Sequence, residues 1–70
     1  MSSETNIQKF LNILEKDPKS KVFVVVADIY RRNLRFGDAI ILCENGIKFN
    51  PDFISGYLIL GSIYFDKGEL

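Results

Sequence analysis

The chain has no histidine, a single cysteine and no surplus of charge of either sign, and each shortage narrows what it can do. Without histidine it lacks the side chain that most often serves as general base and as metal ligand. One thiol, Cys43, cannot form an internal disulfide, so no oxidising compartment is implied. Its place among the core positions of a helix points to a small buried apolar side chain rather than a nucleophile. Nine basic and nine acidic residues cancel, which gives no reason to expect a polyanionic partner. The carboxylates are scattered, several at helix starts, and none forms a pair with a catalytic purpose. No apolar run approaches the roughly 20 residues that span a bilayer. The start, Met1 to Asn6, is polar and lacks the basic and apolar regions of a signal peptide. A cytoplasmic chain is therefore expected, with no membrane contact, no catalytic residue, no metal and no cofactor: not an enzyme. With 70 residues and no linker or low-complexity tract, residues 1–70 make one small domain. A domain of this size buries only about 60% of the surface its unfolded chain exposes.

What is present is helical periodicity. Ile7, Phe10, Leu11 and Leu14 fall on one face of a helix from about Glu4 to Lys16, with Ser3 as a plausible N-cap. Asp17-Pro18 ends it and opens the next, with Asp17 as cap and Pro18 at the first helical position. That second helix runs to about Asn33. A third runs from Phe36 or Gly37 to Phe49. Asn50-Pro51 repeats the cap-plus-proline device, and a fourth helix ends near Lys67, where Gly68 suits a left-handed stop. Val22 to Val26 are five consecutive β-favouring residues and read locally as a buried strand. The spacing of Val26, Ala27 and Tyr30 favours helix.

That spacing returns. Phe23, Val26, Ala27, Ile29 and Tyr30 are matched, 34 residues on, by Tyr57, Leu60, Gly61, Ile63 and Tyr64. A fixed period of this size is the signature of stacked helical hairpins. The pattern resembles the tetratricopeptide repeat family, in which a large aromatic is followed by Leu-Gly, Tyr, Ala, Phe and Pro at fixed offsets. One unit spans residues 20–53 and offers Phe23, Val26, Ala27, Tyr30, Ala39, Cys43, Gly46 and Pro51. A second begins at Ile54 with Tyr57, Leu60, Gly61, Tyr64 and Gly68, and residues 54–70 cover its first helix only. Residues 4–16 look like the second half of a preceding unit. Cys43 and Gly46 stand where the family prefers Phe and Ala, which is expected to weaken packing slightly. Leu34 takes the place of the usual turn glycine.

The resemblance implies an all-α fold: four antiparallel helices in a right-handed solenoid, binding other proteins without catalysis. The expected core is Phe23, Val26, Tyr30, Ala39, Cys43, Ile47, Tyr57, Leu60, Gly61 and Tyr64, with Phe10 and Leu14. The family's concave groove maps here onto Val24, Val25, Asp28, Arg31, Leu58, Ile59, Ser62 and Phe65, with Lys21, Arg32, Ser55 and Asp66 beside them. The Lys and Asn with which one branch of the family clamps a peptide carboxylate are absent. An apolar groove suits an amphipathic helix or another copy of the chain, or packing within a longer array. The fourth helix is apolar nearly all round, so a homodimer or larger homo-oligomer through residues 54–70 is expected. The alternative is RNA binding through Arg31, Arg32 and Arg35, which also suit the C-terminal dipole of their helix. The link Asn33-Leu34-Arg35-Phe36 has neither Pro nor Gly. Two outcomes therefore stay open: a closed hairpin with Asn33 left-handed, or a straightened helix that exchanges halves between chains.

Overall fold

Apolar side chains at helical spacing, separated by short polar links, leave little choice of local structure. In the computed structural model, which describes residues 3–68 with side chains from residue 7 onward, they form four helices. These are α1 (Ser3–Lys16), α2 (Phe23–Arg32), α3 (Phe36–Phe49) and α4 (Ile54–Lys67), with no strand among the described residues. The valine run is helical from Phe23 onward. None of the helices is long and apolar enough to cross a membrane. The expected Ser3 cap lies outside the described side chains.

Both prolines sit in turns, not at the first positions of helices. After α1, the Asp17 carboxylate accepts a hydrogen bond from the Lys19 amide at 3.2 Å, and the Asp17 carbonyl accepts one from the Ser20 amide. The Ser20 hydroxyl then accepts from the Val22 amide, so α2 begins five residues beyond Pro18. Before α4, the Phe53 amide donates to the Asn50 carbonyl, closing a turn through Pro51. The Asn50 side-chain amide does not cap α4. It donates to the Lys19 carbonyl at 2.9 Å and so ties the two proline turns together.

The link between α2 and α3 is a closed hairpin. Its left-handed residue is Leu34 (φ 63°), whereas Asn33 stays at φ −95°. The Leu34 amide bonds the Arg31 carbonyl at 3.0 Å and the Arg35 amide bonds the Tyr30 carbonyl at 2.9 Å. This pair of bonds is the Schellman stop normally built on glycine. The Arg35 guanidinium lies 4.6 Å from the centre of the Tyr30 ring and covers the turn.

α2 is the central helix and packs against the other three, while α3 also packs against α4. Phe23, Val26, Ala27, Ala39, Cys43 and Ile63 form the buried core. Phe23 is its keystone. Its ring meets Phe53 edge-on, with centroids 6.1 Å apart, and lies against the backbones of Gly46 and Gly56. A methyl group on Gly46 would sit 2.2 Å from the ring, and one on Gly56 3.0 Å from its tip. Gly46 is therefore the fitted partner of Phe23 and not a weak point in the packing. Four expected core residues, Tyr30, Ile47, Leu60 and Tyr64, are only half-buried, as are Phe10 and Leu14. Tyr57 and Gly61 are exposed, against expectation. Their counterparts Phe23 and Ala27 are buried in a core shared with Ala39 and Cys43 of α3 and Ile63 of α4.

Candidate interaction surface

The repeat makes α2 and α4 comparable position by position, and their environments diverge. On α2, Phe23 and Ala27 are buried in a core shared with Ala39 and Cys43 of α3 and Ile63 of α4; Val26 is buried as well, and Tyr30 is half-buried. On α4, Ile63 and Gly56 point inward and are buried, and the opposite side is open. Ile54 is 71% exposed, Leu58 66%, Phe65 65% and Tyr57 48%. Gly61 lies amid them, with nothing within 4 Å of where its side chain would be. From Ile54 to Phe65 the helix carries no charge. A soluble helix normally gives its outward face to charged residues, and this one gives it to large apolar ones. That charge-free run was readable in the sequence.

The eight residues mapped onto the groove fall into three groups. Val25, Leu58 and Phe65 are exposed apolar side chains. Val24 and Ile59 are half-buried and pack against the core cluster, which removes much of their surface from a partner. The rest are polar and satisfied within the chain. Ser62 donates its hydroxyl proton to the Leu58 carbonyl at 3.0 Å. Asp28 receives Arg31 and Arg32, each at 2.6 Å. Arg31 also reaches across to Asp66, joining α2 to α4. These bonds, first to Asp28 and then to Asp66, raise the Arg31 pKa above its already high ordinary value. Arg35 pairs with Asp38 at 2.8 Å. All three arginines therefore have a carboxylate partner, and the basic cluster is electrostatically closed.

The chemistry elsewhere is spare. The Cys43 thiol is buried and donates to the Gly56 carbonyl at 3.2 Å. Burial, helped by nearby Glu44, pushes it up to about 11, which disfavours the reactive thiolate. Among the described residues no three His, Cys, Asp or Glu side chains converge as a metal site would require. An open cleft of about 240 Å³ lies between the α1–α2 turn and α3, lined by Leu14, Pro18, Phe23, Leu42, Asn45, Gly46 and Phe49, with no ionisable group. The chain matches no known protein family, no curated protein and no solved structure.

Proposed function

We propose that this chain is a non-catalytic protein–protein interaction module of tetratricopeptide type, taking an amphipathic helix or a copy of itself and serving in scaffolding or assembly. One observation carries the reading: the motif positions that buried Phe23 and Ala27 fill on α2 are filled by exposed Tyr57 and Gly61 on α4, one repeat later. A left-handed residue just after the first helix of each unit, Leu34 and then Gly68 (φ 92°), adds support at the same period. A helix that satisfies this surface presents small and apolar residues at helical spacing, as α3 does with Ala39, Cys43 and Gly46.

The direct test uses that covering helix as the probe. A labelled peptide of residues 36–49 is expected to bind the 70-residue chain saturably and gain helicity, with Leu58→Glu removing the binding. A peptide that stays unstructured and free at hundreds of micromolar overturns the reading. RNA binding through Arg31, Arg32 and Arg35 predicts instead a steeply salt-dependent association with generic RNA. The carboxylate partners of all three arginines speak against it.

A further inference from the structure

We propose that the occupant of the α4 surface is a second copy of this chain, and that two α4 helices cross antiparallel about a two-fold axis at Gly61. The inference rests on the interaction reading above and adds the partner and the geometry.

Head-to-tail association would set α4 of one copy on α1 of the next. The outward side of α1 is wrong for this. It carries Gln8, Lys9, Asn12, Glu15 and Lys16, with Ile13 the lone exposed apolar residue. Docking those groups onto an uncharged apolar stripe would strip them of water without a partner. The stripe on α4 suits itself. Counted from Gly61, apolar residues stand three and four positions before it (Leu58, Tyr57) and three and four after it (Tyr64, Phe65). In a two-fold antiparallel contact a residue n places before the axis meets the one n places after it on the partner helix. Leu58 then meets Tyr64, and Tyr57 meets Phe65, with no like charges opposed.

Gly61 leaves room at the centre of the stripe. An exposed glycine inside a helix weakens that helix, and among the described residues no packing neighbour lies within 4 Å of where its side chain would be. Glycine is the residue the repeat pattern itself has at this step, although α2 carries Ala27 there; on α4 it is left uncovered. Its use is close approach of another backbone, which a crossing at this point supplies. The area is adequate: the exposed parts of these side chains amount to on the order of 500 Å² per copy, and a pair reaches the ~1,000 Å² of a specific interface.

Sedimentation equilibrium of the 70-residue protein, from a few to hundreds of micromolar, provides the test. The expected result is a reversible dimer of twice the 8.0 kDa chain. Leu58→Glu is expected to give a folded monomer by circular dichroism. Gly61→Ala separates folding from association: it raises the melting temperature of the dilute monomer and weakens the dimer at least about tenfold. A dimer that neither substitution disturbs overturns the α4 crossing and leaves self-association in place. A parent chain monomeric at hundreds of micromolar overturns the dimer. The interaction reading then survives if the peptide of residues 36–49 binds, and falls with it otherwise.

Discussion

Leu34 holds a backbone conformation that costs an L-residue about 1–2 kcal/mol. Its side chain is 75% exposed, so little packing offsets the strain. Leu34→Gly, the residue that stands one period later at Gly68, is expected to stabilise the chain by about 1 kcal/mol, read from urea midpoints. Sequence alone flagged this link as irregular but misplaced the irregularity at Asn33. Propensity favours asparagine in the left-handed region, whereas the bonds from the Leu34 and Arg35 amides fix the stop one residue later. Cys43 gives a second test at the residue scale. Its thiol titrates higher when folded than when unfolded, so its contribution is intact below the ordinary thiol pKa of about 9. Above that, the unfolded state releases a proton that the folded state retains. Stability falls as pH rises toward about 11, by up to about 1.4 kcal/mol per unit. Thermal melts of the parent and of Cys43→Ala should therefore differ in pH slope across this window and run parallel below it.

At the scale of elements, the bond between Arg31 and Asp66 is a polar tie between α2 and α4, and both groups are partly exposed. A double-mutant cycle with Arg31→Met and Asp66→Asn is expected to yield a coupling of about 0.5–1 kcal/mol that shrinks with added salt. The four helices were legible because apolar residues fall every three or four positions. Their beginnings were less so. Asp17-Pro18 and Asn50-Pro51 read as helix starts, but the cap-like bond from the Lys19 amide to Asp17 closes only an isolated turn, and the Asn50 side chain is turned to the Lys19 carbonyl. A proline that suits the first turn of a helix suits a preceding tight turn equally well, and sequence spacing does not separate the two.

For the molecule as a whole, stability concentrates where Phe23 lies against two glycine backbones. Gly46→Ala should cost about 1–3 kcal/mol despite alanine's higher helix propensity, because the ring must move. Gly37→Ala, with open space around it, should be neutral or mildly stabilising. Comparing their melting temperatures checks the slot directly. The candidate surface was only half legible for a related reason: a repeat motif identifies which side of a helix expects a neighbour but not whether one is there. Tyr57 and Gly61 match Phe23 and Ala27 in the motif, and only the three-dimensional arrangement shows them uncovered. The unlike dressing of the two outer helices, polar on α1 and apolar on α4, has a consequence for growth. In the language of polymerisation, a unit with one reactive end is a chain stopper. If two α4 helices pair as proposed, the polar α1 offers no second site, and light scattering is expected to level off with concentration instead of climbing as a filament's would.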